Sequence, residues 1–174
     1  GVSSAAQMCI RDSRCSIKRS NNEMKLTDVL KKKKYSLSFE VFPPKKDSGL
    51  DNVISAVDEL SKMPIDYMSV TYGAGGSNSK NTAYIASHLK NNLSIPSLAH
   101  LTCVANSKDD IKVKLQEYKD LGIENILALR GDKPKDYDGE IFPGYHYANE
   151  LVEAIKDFGD FCVGGACYPE CHPD

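Results

Sequence analysis

The chain has 174 residues, 41% of them hydrophobic and 26% charged, with a formal net charge of −2. This composition is typical of one soluble globular domain, without an apolar run near the roughly 20 residues that span a bilayer or the apolar core of a signal peptide. The six cysteines are too few and too irregularly spaced for a secreted disulfide scaffold, so we expect reduced thiols and a cytoplasmic location.

Basic residues are concentrated at the start of the chain. Residues 1–34 contain nine Lys or Arg and three Asp or Glu, whereas residues 35–174 contain thirteen and twenty-one. The first part has no aromatic residue that could stack on bases, so we expect no nucleic-acid binding. We predict a basic, disordered extension over 1–34, beginning with a non-native linker, and a folded domain over 35–174. Near the end of the extension, Leu26 and Leu30 share one face of a predicted short helix.

From Tyr35 onward, short apolar runs alternate with amphipathic segments. Each run is bounded by turn residues, and the runs predict five strands, Ser36–Phe42, Tyr67–Tyr72, Ser97–Val104, Asn125–Leu129 and Phe161–Tyr168. Four helices are predicted between them, near Leu50, from Ser77, from Ser107 and near Ala148. Ser107 and Asp110 have the spacing of a helix cap and its N3 acid, and Gly122 and Gly159 are typical helix stops.

Strands and helices that alternate in this way require a parallel sheet with right-handed crossovers. An open doubly wound sheet would need a glycine loop after the first strand, but Pro43 and Pro44 occupy that position. Polar residues instead follow or end successive strands, namely Glu40, Thr71, Thr102, Asp132 and Tyr168, which is typical of an eight-fold (β/α) barrel. We therefore predict an α/β fold, a (β/α)8 TIM barrel truncated to about its first five strands.

Glu40 is the candidate for acid chemistry. It lies in the apolar run Leu37–Phe42, just before two prolines that end the strand. We expect this strand to be buried on both faces, so that desolvation raises the pKa of the carboxyl and makes Glu40 a general acid. The alternative is a structural carboxylate paired with Arg or Lys.

Three further segments carry candidate binding groups. The segment Thr71–Ser77 is a glycine-rich turn that could receive an anion or a planar ligand, or could be only a flexible connection. Arg130-Gly131-Asp132 combines a cation and a carboxylate at a strand end, with a simple surface ion pair as the alternative. His100 lies in an apolar strand, where a neutral core histidine is usual and a ligand contact is the alternative.

A zinc site near the fifth strand is disfavoured. Cys162, Cys167, Cys171 and His172 are the available ligands, but Cys162 and Cys167 point to opposite faces of a strand and no Cys-x-x-Cys pair occurs. We therefore predict no metal site.

Taken together, these segments resemble the methylenetetrahydrofolate reductases, which are flavin-dependent barrel enzymes of one-carbon and methionine metabolism. The resemblance covers about residues 36–174. Its motifs, in the order of the family, are Phe39–Pro44, Ser69–Ala74, His100–Cys103, Leu129–Asp132, Tyr147-Ala148 and Ala166–Pro173.

The resemblance implies a role for each matching residue. Glu40 matches the general acid that protonates N10 of methylenetetrahydrofolate, and Asp132 matches a carboxylate that contacts the folate close to the flavin. Positions that contact FAD or lie beside it match Thr71, Tyr72, Ala74, His100, Arg130, Gly131, Asp132, Tyr147, Ala148, Tyr168 and His172.

The resemblance also implies a reaction. NAD(P)H would reduce FAD, and the reduced flavin would then convert 5,10-methylenetetrahydrofolate to 5-methyltetrahydrofolate. We expect a homo-oligomer for the full-length parent and no activity for this fragment, because later strands of the family are missing. The alternatives are another barrel enzyme, such as an aldolase with a strand-end lysine, or a non-enzymatic binding module.

Overall fold

The structure, a computed structural model, describes residues 25–44, 47–72, 79–132 and 138–167. Its five strands are β1 (Ser38–Val41), β2 (Tyr67–Val70), β3 (Ser97–Thr102), β4 (Asn125–Leu129) and β5 (Cys162–Gly165). Its five α-helices are α1 (Leu26–Lys31), α2 (Leu50–Leu60), α3 (Ser79–Asn91), α4 (Lys108–Asp120) and α5 (Ala148–Phe158). Ala74, Tyr168 and His172, predicted as binding residues, lie outside the described residues.

The strands form one parallel sheet in the order β1-β2-β3-β4-β5. In a doubly wound sheet the strand order would reverse at a switch point, whereas here each strand lies beside its predecessor. The predicted α/β class with a parallel sheet is therefore confirmed. Among the described strands the sheet is open, with β1 and β5 at its edges, so closure into a barrel stays a prediction.

One face of the sheet carries the hydrophobic core. Strand residues such as Met68, Leu101 and Ile126 and helix residues such as Leu89 and Ile155 are fully buried in a single cluster. Consecutive right-handed crossovers bring their helices to the same face of a sheet, so the opposite face is left uncovered by α2 to α5. That opposite face is where β1 presents Glu40 and β3 presents His100 and Thr102.

Local sequence signals explain where the helices begin and end. Ser107 caps α4: its hydroxyl accepts from the Asp110 backbone N–H at 3.1 Å, and the Asp110 carboxylate accepts from the Ser107 N–H at 2.9 Å. This reciprocal pair confirms the predicted cap. Helix α5 begins after Tyr147 and ends before Gly159, as predicted.

The segment before β1 contacts the amino edge of the sheet, that is, the side where the amino ends of the parallel strands lie. The backbone N–H of Leu26 donates to Asn125 Oδ1 at 2.8 Å, and Lys25 Nζ lies 2.6 Å from Asp160 Oδ2. Leu26 is 6% exposed. Within the predicted extension, Lys25 and Leu26 thus contact the sheet, whereas residues 30–34 are exposed. The rest of that extension lies outside the described residues.

Candidate active site

The carboxyl ends of the five parallel strands lie along one side of the sheet, which we call the carboxyl edge, and the candidate residues lie there. Thr71 and Tyr72 follow β2, and Arg130, Gly131 and Asp132 follow β4. On the uncovered face, Glu40, His100 and Thr102 lie within two residues of the ends of their strands. The structure therefore brings the described candidates to one end of the sheet, as parallel strands require.

Glu40 lies on the uncovered face of β1, but it is not buried. Its register partner is Ser69, while its neighbours Phe39 and Val41 turn to the helices. The burial pattern of β1 is exposed, half-buried, exposed and buried from Ser38 to Val41. The prediction of a strand buried on both faces is therefore wrong, because β1 is an edge strand with helices on one side only. The desolvation invoked for the Glu40 carboxyl is absent in this sheet.

His100 shares the uncovered face with Glu40, two strands away. Strand alternation from the Ser69 and Leu98 register pair places His100 on this side of β3. Burial lowers the pKa of the imidazole, and the nearby Glu40 charge opposes that change. His100 is 7% exposed. The imidazole is therefore neutral at neutral pH, and it can meet a ligand only through the uncovered face.

The end of β2 is held by two hydrogen bonds to the backbone of Thr71. The Thr71 N–H donates to the Val41 carbonyl at 2.9 Å, and the Thr71 carbonyl accepts from Thr82 Oγ1 at 2.9 Å. The next residue, Tyr72, donates its hydroxyl to Asn106 Oδ1 at 3.4 Å. Lys114 Nζ lies 5.8 Å from the centre of the Tyr72 ring. The phenol is thus fixed at both its face and its hydroxyl.

Gly131 makes the turn that ends β4, and no larger residue fits there. Its φ is +81°, a conformation that residues with a Cβ rarely adopt. A Cβ on Gly131 would lie 2.7 Å from Val104 Cγ1 and 3.0 Å from Thr102 Cβ. The backbone of the Arg130-Gly131-Asp132 turn therefore approaches the end of β3 closely, and Asp132 is exposed beside it.

The Arg130 guanidinium lies against two aromatic rings of the segment before α5. Its carbon is 4.9 Å from the centre of the Phe142 ring and 5.7 Å from that of Tyr147. Contacts of this kind orient a planar cation. An oriented guanidinium at a strand end is suited to binding a phosphate or carboxylate.

Tyr147 and Ala148 mark the start of α5. Tyr147 is the residue before the helix, with an extended backbone, and its side chain is 59% exposed. Its carbonyl accepts from Cys103 Sγ at 3.5 Å. Burial, with a smaller contribution from Glu150, raises the pKa of the Cys103 thiol to about 12, so this cysteine is a protonated donor and not a nucleophile.

Two residues at this edge were missed by the sequence reasoning. Phe142 contacts Arg130, and Asn106 accepts from Tyr72, but each lies in a loop and has its partner in a different segment of the chain. The sequence signal for Phe142 was an aromatic in a loop that also contains Tyr145 and Tyr147. Asn106 precedes a Ser cap and resembles an ordinary loop residue.

The described residues contain no group of three His, Cys, Asp or Glu side chains that could hold a metal ion. Cys103, Cys162 and Cys167 are free thiols. Cys171 and His172 lie outside the described residues, so the absence of a metal site stays a prediction. In the part of the chain that the structure covers, the helices are too short or too polar to cross a membrane.

Comparison with known proteins identifies one family. A family model described as methylenetetrahydrofolate reductase matches residues 25–174. Methylenetetrahydrofolate reductase 2 of Schizosaccharomyces pombe is 42% identical over 144 residues, which are 79% of this chain and 22% of that protein. Methylenetetrahydrofolate reductase (NADH) 1 of Arabidopsis thaliana is 36% identical over 154 residues, 86% of this chain and 26% of that protein.

A shorter bacterial relative is matched over a larger share of its length. The 5,10-methylenetetrahydrofolate reductase of Pectobacterium carotovorum is 35% identical over 139 residues, 80% of this chain and 45% of that protein. The chain thus spans between about a fifth and about half of the length of these curated relatives.

Proposed function

Because this chain belongs to the methylenetetrahydrofolate reductase family, we propose that it forms part of a site that reduces 5,10-methylenetetrahydrofolate to 5-methyltetrahydrofolate, with FAD as cofactor and NAD(P)H as hydride donor. One observation carries the proposal. Glu40 and His100 share the uncovered face of the sheet, and Arg130 and Asp132 follow at the carboxyl end of β4. Acid, imidazole, cation and carboxylate thus meet at the edge where barrel enzymes bind their substrates.

The residues at this edge fit a flavin dinucleotide. The guanidinium of Arg130, oriented by Phe142 and Tyr147, suits a pyrophosphate. The hydroxyl oxygen of Thr102 is buried without a hydrogen-bond partner among the described residues, so it can donate to a ligand. Bound FAD would supply hydride transfer between the nicotinamide and the folate. We propose Thr71, Tyr72, Ala74, Tyr168 and His172 as further contacts by family match alone.

Two carboxylates have different proposed roles. Glu40 would donate a proton to N10 of the folate, so that the five-membered ring opens to a cation. Asp132 would stabilise that cation through its negative charge. In the sheet described here Glu40 is exposed, so its proposed role needs a covering that these five strands do not supply.

We therefore propose that the chain by itself binds FAD weakly and reduces little or no folate. Burial of Glu40 would come with closure of the sheet into an eight-stranded barrel, which the sequential strand order supports. A cytoplasmic location, and a homo-oligomeric state for the full-length protein, remain predictions.

The test is the visible absorbance of the purified chain titrated with FAD, before and after anaerobic addition of NADH. We expect a weak, saturable change in the flavin spectrum and bleaching by NADH that is faster than without protein. In the Glu40→Gln variant this bleaching should persist, while any oxidation of the reduced flavin by methylenetetrahydrofolate should disappear.

Two results would count against the proposal. Bleaching no faster than that of free FAD would mean that this chain does not catalyse the flavin half-reaction. Flavin that remains bound to a monomer through gel filtration would show that the proposed weak binding is wrong.

A further inference from the structure

Asn106 is a buried amide between three loops at the carboxyl edge. It is 3% exposed and lies in the turn between β3 and α4. Its Nδ2 donates to the carbonyls of Thr102 and Val104, both at 3.0 Å, and its Oδ1 accepts from the Tyr72 hydroxyl. Carbonyl oxygens only accept hydrogen bonds, so this network fixes which way the amide points.

The two donated bonds hold a turn that the backbone alone disfavours. Ala105 has a φ of +54°, in the left-handed region, which costs about 1 to 2 kcal/mol for a residue with a Cβ. Asn106 bridges the carbonyls on either side of Cys103, so its side chain clamps the residues that lead into Ala105. Replacing the amide removes the groups that compensate for this backbone strain.

The same turn is attached to the end of β4 and to the loop before α5. The Val104 N–H donates to the Arg130 carbonyl at 3.0 Å, and the Ala105 N–H donates to the Ile141 carbonyl at 2.8 Å. A Cβ on Gly144 would lie only 2.7 Å from the Asn106 carbonyl oxygen, so the loop before α5 packs directly on this residue. The turn between β3 and α4 therefore contacts the segment after β2, the turn after β4 and the loop before α5, each of which carries a candidate cofactor residue.

We propose that Asn106 is a positioning residue: its amide locks Tyr72, the Arg130 turn and the loop before α5 into the one arrangement that is presented to the cofactor. This role rests on the proposed function, because the cofactor is part of it. It does not require Asn106 to touch the cofactor. An amide is needed because it donates two hydrogen bonds and accepts a third from a phenol.

The first experiment measures backbone hydrogen exchange in the chain without flavin. In Asn106→Ala, the amides of Val104 and Ala105 and the peptide over 138–147 should exchange about tenfold faster than in wild type. Asn106→Asp keeps an acceptor for Tyr72 but loses both donated bonds, so it should show the same acceleration. Unchanged exchange in both variants would overturn the proposal.

A matched control is Asn91→Ala. Asn91 also donates from its side chain, to Ser87 Oγ at 3.0 Å and to the Leu121 carbonyl at 3.1 Å, but at the opposite end of the sheet. It should leave exchange of Val104 and Ala105 unchanged. Equal acceleration by Asn91→Ala would mean general destabilisation, and the positioning role would fail.

The second experiment measures the dissociation constant for FAD in wild type, Asn106→Ala, Tyr72→Phe and the double variant. Asn106→Ala should bind about tenfold more weakly, and adding Tyr72→Phe should cause little further loss, because both act on one contact. Fully additive losses would contradict an action through Tyr72. If wild type bound no FAD, the proposed function would fail for this chain, while the exchange data would still decide the role of Asn106.

Discussion

The substitution Gly131→Ala tests how tightly the turn after β4 packs on β3. With φ at +81°, an alanine pays about 1 to 2 kcal/mol for the left-handed backbone alone. Its Cβ would also lie 2.7 Å from Val104 Cγ1 and 3.0 Å from Thr102 Cβ, and overpacking of that kind costs about 1 to 3 kcal/mol. The expected loss is therefore about 2 to 5 kcal/mol, a large share of the roughly 5 to 15 kcal/mol that stabilises a domain.

The assay is urea unfolding followed by far-ultraviolet circular dichroism, since the chain contains no tryptophan. At a slope of about 2 kcal/mol per molar urea, the midpoint should fall by about 1 M or more. Gly165→Ala is the matched control, because a Cβ there has no atom within 4 Å, and it should change stability by less than about 1 kcal/mol. Equal midpoints for the two variants would refute the reasoning from close packing.

Three further predictions concern stability and reactivity. The pKa of His100 is lowered in the fold, so as the pH falls the unfolded chain takes up a proton on this imidazole before the folded chain does. The stability that the neutral imidazole contributes is therefore complete above about pH 6.5 and is lost as the pH falls below that value. The free energy of unfolding, measured in urea at about pH 7.5 and 5.5, should fall less between these two pH values in His100→Gln than in wild type. The thiol pKa of Cys103 is raised to about 12, so this cysteine should stay unlabelled by iodoacetamide at about pH 8, while peptide mapping should find the exposed Cys167 labelled. Labelling of both cysteines at the same rate would contradict the burial of Cys103. Ser107→Ala should lower the free energy of unfolding by about 1 kcal/mol and Ser107→Thr by much less, and equal losses would argue against the cap.

The sequence predicted what depends on local pattern. The spacing of Ser107 and Asp110 predicted a cap, and the alternation of strands and helices predicted a parallel sheet. Glu40 was misjudged because the run around it was interpreted as uniformly apolar. In fact Ser38 and Glu40 alternate with Phe39 and Val41, which is the pattern of a strand with only one face covered.

The missed residues depend on contacts between distant segments. The role of Asn106 depends on its hydrogen bond from Tyr72, 34 residues earlier, and on the close packing of Gly144 against its backbone. Phe142 matters only because the turn at Gly131 brings Arg130 under its ring. No local periodicity encodes such pairs, so only the assembled loops reveal them.

The most direct test of the account is a titration of the isotope-labelled chain with FAD, followed by amide chemical shifts. We predict that the shifts change at the carboxyl edge, at Tyr72, His100, Thr102 and Gly131, and not at the amino edge around Leu26 and Asn125. Shift changes confined to the amino edge, or none at saturating FAD, would contradict the claim that these strand ends form a flavin site.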